Sequence, residues 1–242
     1  MKIKFPCSKC FIERIETIDF IQVQDESLYF YTCSQGHKNV YFEKNEKFEL
    51  LMESAVYAIL DGYYREAVSS MSASLERLQE FAIKVLYKES EVSDELFKTT
   101  WKEVSQQSER QLGAFIFLYT QKYKSIPDNL NSNERSFRND IIHKGKFPTY
   151  EETTKYGQRI LDITFNILNM LRSTSEQTIR NFANEKQEEM FRKFEEIKEN
   201  PFTVLLPNII NLHYHISSFE KSNLVEYLEL VKVKHNKKST NT

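Results

Sequence analysis

Seven apolar residues, Tyr64, Val68, Met71, Leu75, Leu78, Ala82 and Val85, recur at spacings of four and three without a break. That 4-3 pattern places all of them on one stripe of a long helix, and the stripe must be covered by neighbouring helices. Its flank, Ser69, Ser70, Ser72, Ala73 and Ser74, is small enough to let a second helix come close. With only 5 Gly and 5 Pro among 242 residues, breaks are scarce and the surrounding helices should be long as well. A first stripe, Phe48, Met52, Ala55 and Ile59, ends at Asp61-Gly62, and a third runs through Trp101, Val104, Leu112, Phe115 and Tyr119. A polar loop from Ser125 to Asn133 follows, and Asn131 with Glu134 reads as the capping box of a fourth helix. Thr149 with Glu152 is a second box, launching Tyr156, Ile160, Ile163, Ile167 and Met170. The expectation for residues 46–173 is a bundle of about five helices, in a chain that is mainly α.

The first 45 residues follow different rules. Apolar positions recur with period two in Phe20 to Val23, Leu28 to Thr32 and Val40 to Phe42, which reads as short strands. All three cysteines lie here, as Cys7-x2-Cys10 and Cys33, with His37 four residues beyond the last. Two short-spaced knuckles supplying four N and S donors match a closed tetrahedral Zn2+ site, so Cys7, Cys10, Cys33 and His37 are expected to hold structural zinc in a zinc-ribbon-like module. Gly36 should supply the permissive turn of the second knuckle. Residues 1–47 carry seven Lys or Arg and seven Asp or Glu, so the module offers no evident grip on phosphate. No signal peptide or membrane span is expected, and the reduced thiols suit the cytoplasm.

The fourth helix carries the chemistry. Arg138-Asn139-Asp140-Ile141-Ile142-His143, followed by Lys144-Gly145, sets a fixed cation, a carboxamide and an imidazole within two turns. An imidazole can move protons near neutral pH, and a guanidinium can stabilise growing negative charge. Asn139 and His143, four apart, share a face, so the carboxamide can orient the ring. Arg138 lies about 140° around the helix from His143 and about 7.5 Å along it. One straight helix does not aim both groups at one atom, whereas two facing copies can, which points to a homodimeric site.

In these residues and in its helix order the chain resembles the HEPN family (higher eukaryotes and prokaryotes nucleotide-binding), many of whose members are ribonucleases. The resemblance covers residues 46–173, with Arg138, Asn139 and His143 at the motif positions. It implies a dimer that cuts RNA without a catalytic metal, as a toxin or antiviral (abortive infection) effector, under the restraint of an antitoxin or other regulatory protein. RNA carries its own nucleophile in the 2′-OH, and no paired Asp or Glu cluster reads as a two-metal site. His143 would then take or give the proton, Arg138 stabilise the phosphorane and Asn139 orient the ring or the phosphate. Glu76 on the long helix is a candidate support for them. The alternative reading is a non-catalytic HEPN module for dimerisation and for binding RNA or a partner recruited by the zinc ribbon. A third is a zinc-ribbon regulator that binds nucleic acid. The formal charge of −2 requires any nucleic-acid contact to come from a local patch.

Residues 174–242 read as a C-terminal extension. A charged segment, with Ile179, Phe182, Met190, Phe194 and Ile197 loosely spaced, ends at Pro201. Phe202 to Leu206 and Leu224 to Val233 suit either short strands or a final helix. His213 and His215 lack companions for a metal, and Lys232, Lys234, Lys237 and Lys238 read as a basic tail.

Overall fold

The computed structural model describes residues 2–5, 7–15, 19–90, 92–197, 202–204, 209–212 and 223–239. Most of them are helical. The chain divides into two compact units, Met1–Asn45 with Arg180–Pro207, and Glu46–Ile179 with Asn208–Thr242.

The first unit is strand-rich. β1 (Lys2–Phe5) and β2 (Asp19–Gln22) form an antiparallel pair around α1 (Ser8–Ile12) in sequence. β3 (Leu28–Thr32) and β4 (Lys38–Glu43) form a hairpin whose last register pair is Thr32 with Lys38, so residues 33–37 are its turn. β5 (Phe202–Val204) adds to the other side of β4 in parallel. Val40 and Phe42 are buried with Leu28 packed on them, as period-two patterning requires of one sheet face.

The second unit is built on α3 (Tyr64–Lys88), which packs against α2 (Lys47–Leu60), α5 (Ser108–Tyr123) and α6 (Ser132–Ile142). The 4-3 stripe is its buried face: Val68, Met71, Leu78, Ala82 and Val85 are all excluded from solvent. Both expected capping boxes form. Asn131 Oδ1 accepts from Glu134 N–H at 3.0 Å and Glu134 Oε2 from Asn131 N–H at 2.8 Å. Thr149 and Glu152 repeat the exchange at 3.2 and 2.9 Å and start α7 (Tyr150–Ile197). α8 (Leu224–Ser239) begins where Leu224 meets α7 at Gly157; a Cβ there would lie 2.5 Å from Leu224 Cδ2 and 2.6 Å from Met71 Sδ.

Three expectations are corrected. The third stripe is two helices, α4 (Asp94–Val104) and α5: residues 105–110 are all polar, so no apolar face carries across them. The corner is held instead by Gln111, whose Nε2 donates to Ser105 O at 2.8 Å. Trp101 and Val104 thus lie on α4, and the expected bundle of about five helices has six that begin between residues 46 and 173. Next, the bundle does not stop at residue 173. α7 continues to Ile197, and only Ser175 leaves helical geometry (φ −132°, ψ 23°). At that kink Glu89, at the end of α3, accepts from Lys122 Nζ at 2.7 Å and Thr178 Oγ1 at 3.1 Å. Finally, 174–242 is not one extension. The far half of α7 belongs to the first unit, where Lys186 Nζ donates to the carbonyls of Lys44 and Asn45 at 3.3 and 3.0 Å. β5 joins that unit, and α8 returns to the second. Lys232, Lys234, Lys237 and Lys238 lie within α8, whereas His213 and His215 fall outside the described residues.

Candidate functional site

In the strand-rich unit the four expected ligands converge. Cys7 is the N-cap of α1 and Cys10 lies on its first turn and a half, while Cys33 and His37 are the two ends of the β3–β4 turn. Their donor atoms all lie within 4.8 Å of one another. Cys10 Sγ is 3.8 Å from Cys33 Sγ and 3.3 Å from His37 Nδ1, and Cys7 Sγ is 3.7 Å from the same nitrogen. A tetrahedron with metal–sulfur bonds of about 2.3 Å has edges of about 3.8 Å, so this spacing fits one ion at the centre. The three cysteines are free thiols, and all are buried.

The backbone holds the donors in place. Cys33 N–H donates to His37 O at 3.0 Å and Gly36 N–H to Cys33 O at 2.8 Å, a turn that needs the left-handed φ of +80° that Gly36 adopts. Cys10 N–H and His37 N–H point at Cys7 Sγ and Cys33 Sγ, at 3.5 and 3.4 Å. Asn39, which no spacing rule singled out, is buried with its Nδ2 shared between His37 O (2.9 Å) and Cys7 Sγ (3.5 Å). Glu13 Oε2 lies 4.0 Å from His37 Nε2, the ring nitrogen left over when Nδ1 faces the sulfurs. Burial pushes the Cys7 thiol up, but hydrogen bonds from Cys10 N–H, Asn39 and His37 outweigh it and bring it down to about 6. Burial together with the neighbouring thiols pushes Cys10 up to about 12. Three thiols and an imidazole held this close can give up their protons to one bound cation.

In the helical unit, the motif residues lie at the end of α6. Arg138 is half-buried, and its Nη2 donates to Glu76 Oε1 at 2.6 Å, so the candidate support on α3 touches it directly. Arg138 Nη1 also donates to Asn139 Oδ1 at 3.4 Å. The carboxamide is thus turned to the guanidinium; among the described residues no side-chain hydrogen bond joins Asn139 to the imidazole, in contrast to the expected pairing. His143 caps the helix, exposed, with its N–H on Asn139 O at 2.9 Å. The chain leaves through Gly145 (φ +73°), and Lys146 N–H returns to Asp140 O at 3.0 Å.

Beneath the Arg138–Glu76 pair, Ser72 Oγ donates to Val68 O at 2.7 Å, so the 2.9 Å contact between Ser72 and Tyr156 uses the tyrosine proton. Burial pushes that phenol up to about 12, with Arg138 and Glu76 both in electrostatic reach. A second set of residues fixes the start of α6. Arg159 on α7 is bidentate to Asp128 at 2.9 and 2.6 Å, donates to Asn129 O at 2.7 Å and lies 3.3 Å from Glu134 of the capping box. Nothing in the spacing of Tyr156 or Arg159 marks a functional role; only their apolar or charged type is visible in the sequence. Among the described residues no helix is long and apolar enough to cross a membrane. Compared with family models, with curated proteins and with solved structures, the chain matches none.

Proposed function

We propose that this chain is an HEPN-like endoribonuclease that cuts RNA at Arg138, Asn139 and His143, with Cys7, Cys10, Cys33 and His37 holding structural Zn2+. The observation that carries the reading is the anchored Arg138: a cation fixed by Glu76 on one helix end whose last residue is the exposed imidazole of His143. Fixed positive charge and a group that can shuttle protons, brought to one phosphate by two facing copies, are what in-line attack by a 2′-OH needs. In the reaction the 2′-oxygen bonds to phosphorus and the bond to the 5′-oxygen breaks. The 2′-OH gives up its proton, and the leaving oxygen takes one. The products are a 2′,3′-cyclic phosphate and a 5′-hydroxyl, and no outside nucleophile is consumed.

His143 serves one of the two proton transfers, and Arg138 stabilises the phosphorane. Asn139, bonded to Arg138, supports the guanidinium and the phosphate rather than the ring. Two copies in a homodimer bring two such helix ends together, and the restraint such an enzyme needs in the cytoplasm falls to a regulatory protein or antitoxin. A toxin or antiviral effector is the role that fits. The test is incubation of wild-type, Arg138→Ala and His143→Ala protein with total RNA, mapping cut ends. Cyclic-phosphate ends should appear with wild type and fall at least 100-fold in either variant. Undiminished cutting by His143→Ala would end the assignment.

A further inference from the structure

Helix α6 and the loop after it carry more than the three motif residues. From Ser132 to Thr149 there are four cations, Arg135, Arg138, Lys144 and Lys146, and two carboxylates, Glu134 and Asp140. By sequence the stretch is net positive, but two of its cations are balanced by carboxylates from outside it, Glu76 and Glu152. Three of the cations have carboxylate partners: Arg138 with Glu76 at 2.6 Å, Lys144 with Asp140 at 2.8 Å and Lys146 with Glu152 at 2.8 Å. Arg135 is exposed and, among the described residues, lies in no ion pair. It sits three residues before Arg138 and four before Asn139, so the three share one face of α6, Arg135 about 4.5 Å nearer the helix start.

On the other side of His143 stands Phe147, four residues on and 82% exposed. Burying such a ring would stabilise the fold by about 1.5–3 kcal/mol, yet the loop holds it outward. That loop is tied down around it. Lys146 is pinned to Glu152 and lies 5.3 Å over the Phe137 ring, Pro148 is buried, and Thr149 caps α7. An aromatic ring displayed on a braced loop among cations has the character of a base-stacking platform.

We propose that Arg135 and Phe147 are strand-binding residues on either side of the motif: Arg135 takes a phosphate next to the one at Arg138, and Phe147 stacks an unpaired base. The inference rests on RNA being the substrate of Arg138 and His143. Arg135, the cation of this stretch that lies in no ion pair among the described residues, together with an exposed ring favours a nucleic-acid strand over a protein surface as the occupant, and stacking requires a base that is not already paired.

The test is binding of a short, single-stranded 2′-O-methyl oligoribonucleotide, which lacks the attacking hydroxyl, to the full chain over a series of salt concentrations. Arg135→Ala should lower the slope of log K against log salt by about 0.7, one phosphate contact on a single strand, and Arg135→Lys should restore it. Phe147→Ala should weaken binding roughly five- to 150-fold at every salt concentration, with Phe147→Trp close to wild type. The sedimentation mass should stay the same throughout. If Phe147→Ala keeps wild-type affinity but changes the mass, the ring serves a protein contact and the proposal falls. If both alanine variants bind as wild type while wild type cuts total RNA, the strand-binding assignment is wrong and the ribonuclease reading stands. If wild type neither binds nor cuts RNA, both fall together.

Discussion

Glu76 and Arg138 are 62 residues apart and meet at 2.6 Å, so the cation of the motif is positioned by a helix other than its own. The pair is part-exposed, which makes its direct effect on stability small. Its value is in direction, because the carboxylate and Asn139 Oδ1 between them fix two of the three guanidinium nitrogens. Glu76→Gln keeps the shape and removes the charge. In the proposed reaction it should slow RNA cutting about 10- to 100-fold with the melting midpoint nearly unchanged, because misplacing a catalytic group by about 1 Å costs on that order. Single-turnover kinetics beside a thermal melt make the measurement; a wild-type rate would return Glu76 to an ordinary surface carboxylate. At this scale the sequence was legible where donors are crowded into short spans, as in the two cysteine knuckles, whose side chains converge. It was mute where partners are distant. Asn39 beside the thiols, and Tyr156 and Arg159 beneath and behind the motif, carry no spacing signal, since their roles exist only once the helices or strands have met.

Among the elements, α6 depends most on borrowed support. It is 11 residues long and buries only Ile141, so packing alone holds it weakly. Its N-terminus is fixed by the Asn131–Glu134 box and, through Glu134 and Asp128, by Arg159 of α7. The Arg159 guanidinium holds the Asp128 carboxyl below the usual carboxylate range, with Asn166 adding a hydrogen bond at 2.8 Å. A carboxyl whose folded pKa is depressed contributes stability above its unfolded pKa of about 3.9 and loses it as pH falls through the lower folded value. The contribution is therefore complete near neutral pH and fades below about pH 4. Asp128→Asn should lower stability by about 2 kcal/mol at pH 7 and by progressively less as pH drops below 4, so the two melting curves converge in acid. A constant offset down to the lowest pH would show that the pair does not titrate with folding. The start and stop of this helix were readable from its caps because capping is local chemistry. The α4–α5 corner was not, since two apolar stripes in similar phase, separated by six polar residues, resemble one long stripe with a gap.

For the whole molecule, the division into two units sets what metal removal should do. The strand-rich unit has a small apolar cluster, Val40 and Phe42 with Leu28, and a second cluster of three buried thiols with Tyr31 packed on them, so an ion bound among the thiols would supply much of its folding free energy. The helical unit draws instead on the α3 stripe and on Ile160, Ile163, Leu168 and Leu171 of α7, none of which involves the metal cluster. Its stability is ordinary apolar burial. The return of β5 to β4 explains why this organisation was hard to read: a three-residue strand more than 150 residues from its partner leaves no periodic trace. Treatment with a strong chelator should remove the proposed Zn2+, one per chain, and move a lower calorimetric transition down or abolish it. The upper transition should remain, with most of the helical signal at 222 nm, because α2 to α6 and the first half of α7 lie in the other unit. Cys33→Ala should reproduce the chelated state without chelator, since a three-ligand remnant of a closed tetrahedral site binds far more weakly. Loss of both transitions together would mean that the helical unit cannot fold without the metal, and the two cores would then have to be treated as one cooperative structure.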